Sequence, residues 1–116
     1  MAVNERGTVV GVVQVGEEER HAALFRNGSV TDLGAASGFF DSGASGINNR
    51  EQVIGGRQIN RHEDTGVLWQ RGQGYELPGL ENHSRTQAED INDRGEIAGY
   101  VVLSDEQNRA VLWTTR

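Results

Sequence analysis

Ile91–Tyr100 reads INDRGEIAGY, and the same phrase stands as INNREQVIGG at Ile47–Gly56 and as VNERGTVVGV at Val3–Val12. The three copies begin at residues 3, 47 and 91, so both intervals are 44 residues long and contain no gap. The matched positions include an asparagine, an arginine, a glycine and a leucine, namely Asn4, Asn48 and Asn92; Arg6, Arg50 and Arg94; Gly11, Gly55 and Gly99; and Leu24, Leu68 and Leu112. So strict a period predicts a tandem-repeat architecture.

Each repeat predicts four short β-strands. The second strand, as in TVVGVVQV at 8–15, is rich in β-branched residues, and the glycine in its middle indicates a bulge or a close approach of another backbone. The phrase before it suits a type I turn with asparagine first and glycine fourth, and Glu51 in place of that glycine should strain the middle copy. A buried third strand ends in leucine and an aromatic residue, and the fourth follows Gly28 or Gly72 as in a hairpin.

The totals of the chain suit one all-β domain, with repeats at 3–46, 47–90 and a truncated 91–116. Sixteen glycines and one proline among 116 residues favour tight turns between short strands. A formal net charge of −6 repels phosphate backbones, so nucleic acid is not an expected partner. No apolar run approaches the roughly 20 residues of a membrane span, and a chain without cysteine forms no disulfide or thiolate metal site.

Four antiparallel strands in 44 residues match one blade of a β-propeller. The repeats supply about two and a half blades, which we count as ten strands, whereas a propeller needs at least four blades to close its ring. We therefore expect the chain to form a homo-oligomer, in which blades from several copies complete the ring. An excised piece of a longer array and a β-trefoil-like monomer are the alternatives.

The phrases Ile91-Asn92 through Gly99, His21-Ala22-Ala23-Leu24-Phe25 and Asp32-Leu33-Gly34 resemble the HAF repeat, a family of extracellular repeats. The resemblance covers nearly the whole chain, although His21 is replaced by Thr65 and Arg109 in the other repeats. It implies blade-like β units in exported bacterial proteins, and it carries no catalytic residues. The N-terminal MAVNERG has no signal-peptide core, so the compartment stays open between a cytosolic product, a trimmed mature form and an excised piece.

The aromatic residues that recur at one position of the third strand are the first candidate binding residues. They are Phe25, Trp69 and Trp113. Packing between blades is the favoured interpretation, and stacking on sugar rings in one pocket per repeat is the alternative. Phe39 and Phe40 break the repeat and form a candidate contact patch or the cover of a sheet end.

The loop between the second and third strands is polar in every repeat and contains acidic residues. Its candidate residues are Glu18, Glu19, Glu63, Asp64, Asp105 and Glu106. In a ring these loops share one face, which would dock a basic partner or hold Ca²⁺ weakly, but a solvated loop is the favoured interpretation. The spacings of His21, His62 and His83 match no zinc signature, so no metal ligand, catalytic residue or cofactor is predicted.

These observations predict a non-enzymatic binding or scaffold module that assembles from blade repeats, with a protein or carbohydrate as further ligand. A lectin-like carbohydrate binder with one pocket per repeat is the main alternative. A reconstructed propeller fragment without a native ligand is another. An enzyme is disfavoured because no polar residue departs from the repeat in a way that indicates a single active site.

Overall fold

The computed structural model describes residues 1–16, 19–34, 41–60, 63–80 and 85–115, with the backbone alone at 59, 60 and 63. This part of the chain holds eleven β-strands and no helix, which confirms the all-β prediction. The strands are β1 (Ala2–Val3), β2 (Val9–Val15), β3 (Glu19–Arg26), β4 (Ser29–Asp32), β5 (Ser42–Ile47), β6 (Val53–Asn60), β7 (Glu63–Gln70), β8 (Gln73–Glu76), β9 (Arg85–Ile91), β10 (Glu96–Val102) and β11 (Asn108–Thr114). No helix long and apolar enough to cross a membrane occurs among these residues.

The eleven strands form three antiparallel sheets that recur with the period of the repeat, and the first strand of the second and third sheets lies at the end of the preceding copy. The first sheet has the order β1-β2-β3-β4, the second sheet β5-β6-β7-β8 and the third sheet β9-β10-β11. The prediction of ten strands is wrong by one, because Ala2 and Val3 pair with Val10 and Val9 and so form a short first strand. The 44-residue period is therefore the length of one sheet together with its connection to the next.

The three sheets stack face to face, and the two junctions between them form the core. The junction of the first and second sheets buries Val10, Ala22, Ala44, Val53, Val67 and Trp69. The junction of the second and third sheets buries Ile54, Leu68, Leu77, Ala88, Ile91 and Ile97. Because side chains alternate along a strand, neighbouring residues such as Val53 and Ile54 reach opposite junctions. The second sheet is thus covered on both of its faces.

The mid-strand glycines lie where the first strand of a sheet bulges against the second. Ser45 is the extra residue opposite Gly55, and Glu89 is the extra residue opposite Gly99. A Cβ atom on Gly55 would overlap the carbonyl oxygen of Gly43 on β5. The prediction that these glycines mark a bulge and a close backbone approach is confirmed in the second and third sheets.

The predicted strain at Glu51 is confirmed as well. Its φ is 59°, in the left-handed region, where the equivalent Gly7 and Gly95 have φ of 80°. A side chain there costs about 1–2 kcal/mol relative to the usual backbone regions. The Glu51 carboxylate contacts Arg26 and Thr8 of the first sheet. The strained residue therefore connects the second sheet to the first across their junction.

No closed ring or barrel is formed by the described strands. Apart from a single bridge between Arg20 and Asp41, no backbone ladder joins one sheet to another among them. The trefoil-like alternative is therefore wrong for this part of the chain, because a trefoil closes its strands into a barrel. Completion of a propeller by further blades stays a prediction.

Candidate functional site

The recurring asparagine holds the turn before the second strand in every repeat. The Asn48 side-chain oxygen Oδ1 accepts hydrogen bonds from the backbone N–H groups of Arg50 at 3.0 Å and Gln52 at 2.9 Å. Asn4 and Asn92 make the same pair of bonds with the residues two and four positions further on, at 3.0–3.1 Å. The asparagine side chain therefore accepts hydrogen bonds from backbone N–H groups that have no backbone partner in the turn.

The same asparagines also connect one sheet to the next. Asn4 Nδ2 donates to the carbonyl oxygen of Asn48 at 3.0 Å, and Asn48 Nδ2 donates to the carbonyl oxygen of Asn92 at 2.9 Å. Beside them, the Glu5 N–H donates to Asn49 Oδ1 at 2.7 Å and the Asn49 N–H donates to Asp93 Oδ1 at 2.8 Å. The backbone hydrogen bond from Asn49 lowers the pKa of Asp93 below its ordinary value. We call this repeated set of bonds the asparagine ladder.

A buried hydroxyl group forms a second repeated tie between the sheets. Ser42 Oγ on β5 accepts a hydrogen bond from the Ala22 N–H on β3 at 2.8 Å. Thr86 Oγ1 on β9 accepts from the Gly66 N–H on β7 at 2.7 Å. Both hydroxyl groups are buried, so each satisfies a strand N–H that water does not reach.

Some apolar residues that are buried in a junction have equivalents in another repeat that are exposed on an outer face of the stack. Leu68 is 5% exposed within the second junction, whereas the equivalent Leu112 on β11 is 61% exposed. On the opposite side, Ile91 is buried in the second junction, and the equivalent Val3 on β1 is 63% exposed. The third sheet thus presents the residues that contact a following sheet, and the first sheet presents those that contact a preceding one.

The predicted aromatic residues occupy equivalent places with different degrees of burial. Trp69 is 3% exposed in the first junction. Trp113 packs against the core of the second junction and donates its indole N–H to the Pro78 carbonyl oxygen at 2.9 Å. Phe25 is half-buried on the first sheet. The two tryptophans therefore pack between sheets, and the assignment of this position to blade packing or to sugar binding stays a prediction.

The predicted acidic residues are not brought into one cluster by the described part of the chain. Glu19 lies 3.3 Å from His21, Asp64 is exposed at the start of β7, and Asp105 caps its own turn by accepting from the Gln107 N–H at 3.1 Å. Glu106 is exposed in the same turn. Glu18, Phe39, Phe40 and the Glu63 side chain lie outside the described residues. No group of three metal-ligating side chains occurs among the residues that are described.

His21 forms a hydrogen-bonded pair with Asp32 at one edge of the first sheet. His21 Nδ1 lies 2.8 Å from Asp32 Oδ2, and its Nε2 lies 3.3 Å from Glu19 Oε2. The hydrogen bond to Asp32 raises the pKa of His21, and burial opposes this shift without cancelling it. Gly34 packs directly on the imidazole, where a Cβ atom would lie 2.9 Å from His21 Cβ. The histidine and the aspartate of the resemblance motifs therefore act together in this sheet.

The hydrogen bond between His21 and Asp32 predicts that the protein loses stability as the pH rises above about 6.5 and through the folded-state pKa of His21. A folded-state pKa above the ordinary value of about 6.5 stabilises the fold fully below that value, and the contribution is lost as the pH rises through the folded pKa. Urea unfolding at several pH values measures this slope. Asp32→Asn should flatten it, whereas Glu76→Gln, at the equivalent position beside Arg57, should leave it unchanged. An unchanged slope in Asp32→Asn contradicts the assignment.

The asparagine ladder and the hydroxyl ties were not predicted from the sequence. The sequence pattern predicts the asparagines as turn residues only, and it assigns no role to Ser42 and Thr86. Their strict spacing of 44 residues was the available indication. A turn alone accepts aspartate, serine or glycine at that position, so asparagine in all three copies points to a need for its N–H donor as well.

No family model, curated protein or solved structure matches the chain. The resemblance to the HAF repeat therefore stays a prediction.

Proposed function

We propose that the chain is a non-enzymatic scaffold module that associates with further copies of itself, so that the blade-like sheets continue from one copy to the next. The observation that carries the proposal is that both junctions within the chain are built from the same repeat positions. The outer face of the third sheet and the outer face of the first sheet are therefore two halves of such a junction. We also propose that the sheets are HAF-like blades of the propeller type. The separate antiparallel sheets, which recur with the repeat, support this assignment.

The contact between copies follows from the ladder. Within the chain, the carbonyl oxygen of Asn92 accepts a hydrogen bond from the Asn48 side chain. At the contact between copies, the carbonyl oxygen of Asn4 in the second copy would accept the equivalent bond. The Asn92 side chain, which donates to Glu96 of its own turn at 2.8 Å, would supply that bond. Leu112 would be covered as Leu68 is covered now. Such a contact is heterologous, so it closes into a ring when the rotation between sheets allows it.

Apolar burial supports this association more than the hydrogen bonds do. Each buried leucine contributes about 1.5–3 kcal/mol relative to an exposed one, and Leu112 and Val3 are both more than half exposed. The net hydrogen-bond contribution is smaller, about 1 kcal/mol for each bond, because water satisfies the same groups in the free chain. The ladder therefore sets the register of the contact, and the apolar residues supply its affinity.

Absolute mass by light scattering on a sizing column tests the proposal. We expect a single species at two or three times the chain mass of 12.7 kDa. Leu112→Glu should convert it into a monomer, because the charge would be buried without a partner. The matched control is Leu80→Glu, whose leucine is 62% exposed in a loop. A folded wild-type chain that stays at 12.7 kDa at all concentrations contradicts the proposal, as does equal dissociation of the two variants.

A further inference from the structure

A cleft of about 690 Å³ opens between the first and second sheets, beside their two hairpin turns at Asn27-Gly28 and Arg71-Gly72. Its apolar floor is formed by Leu24, Leu33, Val53 and Trp69. Sites for small molecules in proteins commonly have volumes of about 300–1,000 Å³ and combine an apolar lining with a few polar groups. The cleft lies within one chain, so its occupancy does not depend on self-association.

The rim of the cleft carries an excess of positive charge. Arg26, Arg50 and Arg71 line it together with one carboxylate, Glu51. Glu51 is paired with Arg26, and within the described part of the chain neither Arg50 nor Arg71 has an ion pair. Two arginines without an ion pair thus line this cleft, in a chain whose formal net charge is −6. Such a local reversal of charge favours an anionic ligand.

Arg71 is held at this rim by an unfavourable backbone conformation. Its φ is 54°, in the left-handed region, and the equivalent Asn27 of the first sheet has φ of 50°. Asparagine and glycine are the residues that this hairpin position favours, whereas arginine there costs free energy. An observed strain of this kind is a reason to look for a function of the residue, and Arg71 lines the cleft.

The chemistry of the ligand follows from the arginine-bearing rim and the apolar floor of the cleft. A planar guanidinium group pairs with a carboxylate through two parallel hydrogen bonds. Asn27, Ser29 and Thr31 add exposed amide and hydroxyl groups to the same wall, which suit a ligand that bears hydroxyl groups. The apolar floor suits the C–H face of a ring, which inorganic anions lack. We propose that the cleft binds a carboxylate on a hydroxylated ring, the chemistry of a uronate sugar.

Glucuronate and glucose form a matched pair of probes, because they differ in the carboxylate and share the ring. In an amide NMR titration, glucuronate should saturate one site per chain and shift the backbone signals of Gln70, Arg71 and Gly72. Glucose should bind at least about tenfold more weakly, since a lost charge-assisted hydrogen bond costs about that factor or more. Inorganic phosphate should not compete effectively, because it leaves the apolar floor unused.

Arg71→Gln should weaken glucuronate binding about tenfold, and Arg6→Gln is the matched control. Arg6 occupies the repeat position of Arg50 but lies outside the cleft, and both Arg6 and Arg71 are exposed, so both variants should fold. Equal binding of glucose and glucuronate overturns carboxylate recognition, and effective competition by phosphate overturns the role of the ring. Absence of glucuronate binding, or equal losses in the two variants, overturns the site.

Discussion

Gly55→Ala is expected to destabilise the protein by at least about 3 kcal/mol, which is a large fraction of the 5–15 kcal/mol that holds a domain of this size together. The added Cβ would overlap the Gly43 carbonyl oxygen and lie 2.8 Å from the Ala44 Cα. Both obstacles are backbone atoms of β5, so no side-chain rotation relieves them. Overpacking costs typically 1–3 kcal/mol where side chains adjust, and we expect more where a strand must move.

Gly56→Ala is the matched control for this prediction. The Cβ atom of residue 56 would lie 3.4 Å from the nearest atom, the Thr65 carbonyl oxygen, which a small adjustment accommodates. Urea unfolding followed by the fluorescence of Trp69 and Trp113 compares the two variants directly. A difference of less than about 1 kcal/mol between them would show that β5 does not approach β6 as closely as described.

The equivalent Gly99→Ala should behave like Gly55→Ala, because the same bulge recurs in the third sheet. A Cβ atom there would overlap the Gln87 carbonyl oxygen and lie 2.9 Å from Trp113 Cζ3. The glycines at 11, 55 and 99 were singled out by their place in the middle of a β-branched run. Local sequence therefore predicted the strand in each copy and the close approach at Gly55 and Gly99, but at Gly11 an added Cβ would come no nearer than 3.6 Å to Met1 Cγ, which is an ordinary contact.

Local pattern was sufficient for the strands because strand formation depends on alternation, β-branching and turn residues that lie close together in the chain. The strain at Glu51 was predicted for the same reason, since it departs from the glycine of the other copies. The contacts across the junctions were not predicted. A bond from Asn4 to Asn48 joins residues 44 positions apart, and no local pattern states which group faces another sheet.

The cleft escaped prediction for a different reason. A comparison of repeats emphasises the positions that agree, whereas Arg26, Glu51 and Arg71 are residues at which the copies differ. The equivalents of Glu51 are Gly7 and Gly95, so a single junction carries this carboxylate. The deviations gain meaning only when the fold shows that they line one cavity. Departures from a repeat are therefore where a site specific to one junction should be sought.

Asn48→Ala is expected to cost about 3–4 kcal/mol, far more than the same change at Asn92. Asn48 is 4% exposed and satisfies two backbone N–H groups while donating to the Asn92 carbonyl oxygen and to Gln52 Oε1. Alanine leaves these groups without partners in a buried place, at about 1–3 kcal/mol for each one that water cannot reach. The comparison is made in the monomeric Leu112→Glu background, where Asn92 is exposed, so water replaces its bonds and about 1 kcal/mol should be lost.

Asn48→Asp separates the two roles of the asparagine. Aspartate keeps the oxygen that accepts from the Arg50 and Gln52 N–H groups, and it loses the N–H that reaches the third sheet. Its loss of stability should equal or exceed that of Asn48→Ala if the donor matters, because the second carboxylate oxygen would face the Asn92 carbonyl oxygen and Gln52 Oε1 in a buried place. Urea unfolding of the three variants gives this order. If Asn48→Asp were as stable as the wild type, Asn48 would serve its turn alone, and the recurrence of asparagine would have no part in joining the sheets.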